Sequence, residues 1–158
     1  MDQANPLAKA LGSIPFAACP MDGVATAGQP SAAAWPQLAH AGYRTVVDLR
    51  APGEARDHDE PAAVRAAGLE YVPIPVSQPT LRDATFDTFR ELMRDPARRP
   101  VFVHCATSNR VGALLLPYFA LDEGMALGDA LRKARESGLR NPDLQQIAID
   151  YARRNGAR

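Results

Sequence analysis

Short apolar segments alternate with helical patterns along this chain, and this alternation restricts its possible folds more than any other feature. The segments Tyr43–Leu49, Leu69–Pro75 and Val101–His104 are apolar and bounded by turn signals, so we predict buried strands. Apolar residues at helical spacing lie between them, as from Phe86 to Met93. Strands that alternate with helices favour a mainly parallel sheet, so we predict an α/β fold.

The length of 158 residues is typical of one compact domain. The first 30 residues are rich in proline, glycine and alanine, and we expect a coil-like lead-in with one short strand at most. A helix is predicted to begin at Ser31, and a second one at Asp59 as its N-cap. We therefore expect an N-terminal extension over residues 1–23 and the folded domain over residues 24–158.

Charge and cysteine content exclude several classes of protein. The 18 basic and 18 acidic residues give a formal net charge of zero, which does not favour binding to nucleic acid or to an anionic membrane. No apolar run is long enough to span a bilayer. Two cysteines, Cys19 and Cys105, are typical of a protein in the reducing cytoplasm. Three histidines without ligand spacing predict no metal site, and no cofactor is expected.

One stretch, VFVHCATSNRVGALLL over residues 101–116, has the features of an anion-binding catalytic loop. Cys105 directly follows a predicted strand, and ligands of open α/β sheets bind beyond the carboxyl ends of the strands. The residues of the next segment, 106–109, are small enough for their backbone N–H groups to turn inward. The apolar helix that follows adds the positive end of its dipole, so the loop is predicted to hold an oxyanion.

The same field favours a thiolate at Cys105, and Arg110 adds a fixed positive charge that could hold two oxygens of an anion. Such a thiolate could attack phosphorus and form a phosphocysteine, or attack sulfur and form a persulfide. A lone cysteine after a strand is more often a small core residue. The spacing of His104, the small polar loop and Arg110 around Cys105 favours a functional role for Cys105 instead.

Residues 24–151 resemble the cysteine-dependent phosphatase superfamily, and within it the beta-lactamase-hydrolase-like phosphatase family, which is related to atypical dual-specificity phosphatases. Four segments carry the resemblance: Ala27–Pro30, Thr45–Arg50, Leu69–Pro75 and His104–Arg110. The resemblance implies a phosphatase-like three-layer fold, with a mainly parallel central sheet between helices. It also implies hydrolysis of a phosphomonoester, either a phosphorylated small molecule or a phosphotyrosine or phosphoserine protein.

The resemblance also implies roles for individual residues. Cys105 would be the nucleophile, Arg110 would bind the transferring group, and His104 would orient the loop by hydrogen bonds. The amides that would hold the phosphate oxygens belong to Ala106, Thr107, Ser108 and Asn109. The general acid of such phosphatases is an aspartate from a neighbouring loop, and here the loop supplies Asp83, which is equally suited to cap the next helix.

Three departures from the family pattern keep other functions open. Only four residues separate Cys105 from Arg110, where the usual phosphatase loop has five, and this C-x4-R spacing is closer to rhodanese-type sulfurtransferases. Val111 stands where many relatives have a hydroxyl residue, and the assignment of Asp83 as acid has a structural alternative. The second hypothesis is therefore a sulfurtransferase with a persulfide on Cys105, and the third is a non-catalytic phosphate-binding module.

Charged residues outside this motif are interpreted as surface residues. We expect Arg50 to be solvated after its strand. Glu54, Asp57, His58 and Asp59 form a charged loop, which is interpreted as hydrated, with closure over a substrate as the alternative.

Overall fold

Five short strands form one sheet in this computed structural model, which describes residues 11–158. Their order across the sheet is β1-β2-β5-β3-β4. The edge strand β1 runs antiparallel to β2, and the other neighbours are parallel. The strands are β1 (Ala18–Met21), β2 (Val24–Ala27), β3 (Thr45–Asp48), β4 (Glu70–Pro73) and β5 (Val101–His104).

Helices cover both faces of the sheet, so the predicted α/β fold with three layers is confirmed. The smaller core cluster, with Trp35 and Val64, packs α1 and α2 against one face, and the larger cluster, with Phe86 and Leu114, packs the other helices against the opposite face. The helices are α1 (Ala34–His40), α2 (Glu60–Ala66), α3 (Asp83–Arg94), α4 (Asn109–Leu121), α5 (Leu127–Glu136) and α6 (Pro142–Arg154).

The central strand β5 lies between β2 and β3, and its last residue fixes the position of the site. His104 pairs in register with Ala27 on one side and with Asp48 on the other. The carboxyl ends of the three strands are therefore level, and the segments that follow them leave the sheet side by side. Ligands of parallel α/β sheets bind at this edge.

Helix α4 begins directly after the loop that follows β5. All of its residues from Val111 to Ala120 are buried, because it packs between α3, α5 and α6. A helix that is apolar all round must be enclosed in this way. The loop before it is thus held between a central strand and a central helix.

The lead-in prediction is wrong in one respect, because residues 11–30 hold two strands rather than one at most. Strand β2 has alanine at two of its four positions, and alanine is depleted in strands, so pairing with β5 helps to stabilise this strand. The helix predicted from Ser31 begins at Ala34, whereas Asp59 caps α2 as expected and accepts from the Ala62 amide at 3.2 Å.

Strand β1 precedes residue 24 and belongs to the sheet, while the domain boundary at residue 24 stays a prediction. Among the described residues no helix is long and apolar enough to cross a membrane.

Candidate active site

Cys105 lies at the carboxyl end of β5 and is fully buried. Its amide donates a hydrogen bond to the Ala27 carbonyl at 3.4 Å, so the residue continues the pairing of β5 with β2. Arg110 follows in the first turn of α4. Its pKa is raised, first by hydrogen bonds to Glu54 and also by the neighbouring Cys105. The structure therefore brings the predicted nucleophile and the predicted anion-binding guanidinium together.

The loop between them makes a tight left-handed turn. Ser108 has a φ of 66°, a conformation in which non-glycine residues are uncommon. Its hydroxyl donates to the carbonyl of Ser137 at 2.6 Å, and this bond helps to hold the turn. Among the residues that the structure describes, nothing accepts from the amides of Ala106, Thr107 and Ser108. These donors are thus available to an anion.

The turn after β2 supports one side of the loop. The Gln29 amide donates to the Ala106 carbonyl at 3.0 Å. A Cβ atom on Gly28 would lie 2.7 Å from the same carbonyl oxygen, so only glycine allows this approach. This contact explains why the short segment Ala27–Pro30 belongs to the motif.

The connection between α5 and α6 supports the other side. The side-chain oxygen of Asn109 accepts from the amides of Arg140 and Asn141 at 2.9 and 3.1 Å. Arg140 also donates to the Thr107 carbonyl at 3.0 Å. Contacts on both sides make the loop a preorganised anion cradle, which is the condition for strong electrostatic stabilisation.

Glu54 forms a two-point ion pair with Arg110. Its Oε2 and Oε1 atoms lie 2.5 and 2.8 Å from Nη1 and Nη2 of Arg110, and Oε2 also accepts from the Ala51 amide at 2.5 Å. The hydrogen bond from Arg110 holds the pKa of Glu54 below its usual value. The sequence interpretation of this loop as merely hydrated missed the pair, because 56 residues separate the two partners and no local pattern indicates it.

His104 supports the loop from below and lies away from the cleft. Its ring is buried against Trp35 and Phe102. Nε2 lies 2.6 Å from Oε2 of Glu60, and Nδ1 lies 3.4 Å from the Cys105 carbonyl oxygen. A carboxylate can only accept, so Nε2 carries the proton of the short hydrogen bond. The expected orienting role of His104 is consistent with this position.

Arg50 is buried, so its expected solvation is wrong. Its Nε and Nη2 atoms lie 3.0 Å from the two carboxylate oxygens of Asp48, and Nη2 lies 2.9 Å from Oε1 of Glu60. Burial alone would raise the pKa of Asp48, but the hydrogen bonds from Arg50 and Tyr71 and the charge of His104 outweigh it, so this pKa is lowered. A buried arginine in such contacts requires partners from distant segments, which the strand pattern does not reveal.

The ligand atoms of Asp48, Glu60 and His104 lie within 4.8 Å of one another, a spacing that a metal ion could bridge. Both carboxylates already bind the guanidinium of Arg50. Asp48 also pairs with Arg56 at 3.1 Å, so two guanidinium groups balance the two carboxylates, and the donor set is better suited to arginines than to a metal ion.

Asp83 is the first residue of α3 and is exposed. Its carboxylate oxygens lie 2.6 and 3.1 Å from the guanidinium of Arg154, and this hydrogen bonding lowers the pKa of Asp83. A cleft of about 490 Å³ opens beside Arg110, and Glu54, Gln78 and other residues line it, but Asp83 does not. Asp83 is therefore engaged with Arg154, and its role as acid stays a prediction.

Residues 23–150 match the model of a family described as DSP-PTPase phosphatase fused to NAD+ kinase. A beta-lactamase hydrolase-like protein of Agrobacterium fabrum is 37% identical over 100 residues, which are 61% of this chain and 23% of that relative. The chain thus spans about a quarter of the length of the curated relative.

Solved structures show the same fold. A DUF442 protein from Shewanella putrefaciens superposes with a TM-score of 0.78 at 21% identity over 94% of this chain and 99% of the other. TpbA of P. aeruginosa in complex with pTyr superposes with a TM-score of 0.64 at 23% identity over 88% of this chain and 81% of the other. The family match favours the phosphatase hypothesis over the sulfurtransferase one.

Proposed function

Because the chain belongs to the family of DSP-PTPase phosphatases fused to NAD+ kinase, we propose that it is a cysteine-dependent phosphatase that forms a phosphocysteine on Cys105. The observation that carries this proposal is the juxtaposition of Cys105 and Arg110 at the end of β5. The amides of residues 106–108 lie between them. A nucleophile, a guanidinium and a set of aligned donors are the parts that phosphoryl transfer through cysteine requires.

In the first step, the Cys105 sulfur attacks phosphorus and forms the S–P bond. The P–O bond to the leaving group breaks, and its electron pair stays on the leaving oxygen. Arg110 and the loop amides bind the other phosphate oxygens and stabilise their charge in the transition state. In the second step, water delivers hydroxide to phosphorus and its proton to solvent, the S–P bond breaks, and the Cys105 thiolate is restored together with inorganic phosphate.

Arg110 can bind Glu54 and phosphate together. A guanidinium has five N–H donors. Glu54 uses one donor on each Nη atom, and the Val76 carbonyl accepts from Nη1 at 3.2 Å. The remaining donors are on Nε and Nη2, so Glu54 fixes the orientation of Arg110 while phosphate binds.

The substrate of this reaction is a phosphorylated small molecule or a phosphoprotein. The pTyr bound to TpbA, which has the same fold, supports a phosphorylated substrate. We place the reaction in the reducing cytoplasm, where Cys105 is protected from oxidation.

Hydrolysis of 4-nitrophenyl phosphate tests the proposal. Cys105→Ser is expected to lose activity by about a thousandfold or more, since the hydroxyl is a far weaker nucleophile at neutral pH. Cys19→Ser is the matched control, because Cys19 is exposed on β1, and it is expected to keep full activity. Circular dichroism establishes that both variants fold. Full activity in a folded Cys105→Ser variant would overturn the proposal.

A further inference from the structure

Among the described residues that line the cleft, Glu54 supplies the one acidic side chain. Departure of an alkoxide leaving group requires a proton donor within hydrogen-bond reach of its oxygen. The capacity of Glu54 to supply that proton therefore decides which phosphate compounds the site can cleave.

The carboxylate of Glu54 is already hydrogen-bonded to other groups of the chain. Both of its carboxylate oxygens bind Arg110, and Oε2 also accepts from the Ala51 amide. The ion pair holds the pKa of Glu54 below its usual value, so the carboxyl group is ionised at neutral pH. An ionised carboxylate only accepts hydrogen bonds. Glu54 thus orients Arg110 and has no proton to give.

The nearby carboxylates outside the cleft are also unsuitable as proton donors to a leaving group. Asp83 is paired with Arg154, and its pKa is lowered by that contact. Asp143 is exposed, and its Oδ2 atom accepts from Gln78 at 3.5 Å. Glu60 is fully buried beneath the loop against His104. None of these groups lines the cleft.

His58 lies in the same charged loop as Glu54 and is held by two contacts. Its Nε2 atom accepts from the Trp35 indole at 3.0 Å, and its Nδ1 atom lies 2.5 Å from Asp57. Both ring nitrogens are therefore engaged on the α1 side of the loop, and His58 does not line the cleft.

We propose that this site cleaves phosphoryl groups from leaving groups that depart as stable anions, such as phosphoanhydrides and esters of acidic phenols, an inference that rests on the proposed function. A leaving phosphate has a pKa of about 6, and an unsubstituted phenol has a pKa of about 10. The alkoxide of serine is far more basic. General acid catalysis contributes about 10²- to 10⁴-fold, and alkyl and ordinary phenyl esters lose this factor here.

The bond changes balance without a protein acid. The S–P bond to Cys105 forms, and the P–O bond breaks with both electrons on the leaving oxygen. That oxygen leaves as an anion and takes no proton from the chain. Hydrolysis of the phosphocysteine by water then restores the thiolate.

The first experiment measures how kcat/KM of the full chain depends on the leaving group. Probes are 4-nitrophenyl phosphate, phenyl phosphate, a phosphoserine peptide and ADP. We expect phenyl phosphate to be cleaved at least 100-fold more slowly than the nitrophenyl ester, and phosphoserine more slowly still. Release of phosphate from ADP identifies an anhydride substrate, and turnover of the nitrophenyl ester alone identifies an acidic phenol. Equal rates for the phenyl and nitrophenyl esters would overturn the proposal.

The second experiment adds the missing acid. Gln78 lines the cleft beside Asp143, so the carboxyl of Gln78→Glu would have a raised pKa from like-charge repulsion. We expect a rise of about tenfold in kcat/KM for phenyl phosphate and less than threefold for the nitrophenyl ester. Gln146→Glu is the matched control, because Gln146 lies beside Asp150 on the exposed side of α6. The same gain on both esters, or on neither, counts against the proposal.

Substitutions of individual carboxylates show whether one of them acts as a general acid or only positions Arg110. A selective loss of phenyl phosphate turnover in Glu54→Gln, Asp83→Asn or Asp143→Asn would identify a general acid and overturn the inference. Equal losses on both esters in Glu54→Gln support it, because they indicate a positioning residue. If all hydrolysis persists in Cys105→Ser, the proposed function fails. If turnover depends on Cys105 but not on the leaving group, only this inference fails.

Discussion

The hydroxyl of Ser108 donates to the backbone carbonyl of Ser137 and ties the phosphate loop to the turn after α5. The next residue, Gly138, has a φ of 112°, and a Cβ atom there would lie 2.7 Å from both Cβ and the carbonyl oxygen of Ser108. The shape of the loop therefore depends on a residue that does not line the cleft.

Gly138→Ala is expected to lower both stability and activity. Strain at positive φ costs about 1 kcal/mol, and overpacking against Ser108 adds about 1–3 kcal/mol. Gly42→Ala is the control, since Gly42 has a φ of 96° but open space around it. Urea unfolding and nitrophenyl phosphate hydrolysis measure both effects. Equal losses in the two variants would show that Ser108 moves aside freely.

Replacement of Arg110 by lysine tests the importance of its fork geometry. A lysine keeps the charge but cannot bind Glu54 and phosphate oxygens through paired donors. We expect kcat/KM for 4-nitrophenyl phosphate to fall by about 10²- to 10³-fold. Arg132→Lys, on the exposed side of α5, is the control. Retention of more than a third of the activity in Arg110→Lys would contradict a geometric role.

Glu60→Gln tests the buried network beneath the loop. The substitution removes the charge that faces Arg50 and His104, both of which are buried. Loss of one partner in a buried ion pair costs about 3–5 kcal/mol, so we expect a loss near the lower end because glutamine can still accept hydrogen bonds. The exposed Glu136→Gln is the control. Chemical denaturation measures the difference, and similar stabilities would refute the role of the network.

Stability is expected to fall in acid. The folded pKa values of Asp48 and Glu54 are lowered, whereas the unfolded values are about 3.9 and 4.3. Groups with lowered folded pKa values stabilise the fold above the unfolded pKa, and this contribution is lost as the pH falls through the folded value. The Tm should be nearly constant from pH 7 to about pH 5 and then decrease below about pH 4. Asp48→Asn should have a lower Tm at pH 7 and a shallower decrease in acid.

The sequence predicts those elements whose conformation is determined by residues close together in the chain. Val101–His104 is a strand with the predicted bounds, because its apolar residues are buried on both faces. Asp59 caps α2, since the cap depends on a residue three positions away. Cys105 and Arg110 are five positions apart along the chain, so the local order of strand, loop and helix is enough to predict that they lie close together.

Other parts of the site depend on contacts that local patterns do not show. Glu60 and His104 are 44 residues apart, and their hydrogen bond exists only after the sheet has formed. The buried position of Arg50 likewise depends on Glu60, from a different element. By sequence, Asp83 could either cap a helix or act as the general acid. Its partner Arg154 lies at the end of another helix, 71 residues away, and no local pattern indicates this contact.

The central position of β5 affects the expected rate of amide hydrogen exchange next to the nucleophile. Hydrogen bonds on both sides protect the backbone of β5 from solvent, so its amides should exchange with deuterium only when the whole domain opens. Glu54 lies instead in a surface loop, whose amides should exchange through local fluctuations. We therefore expect the nucleophile to follow a slowly exchanging strand, and the residue that aligns its arginine partner to lie in a loop that exchanges faster.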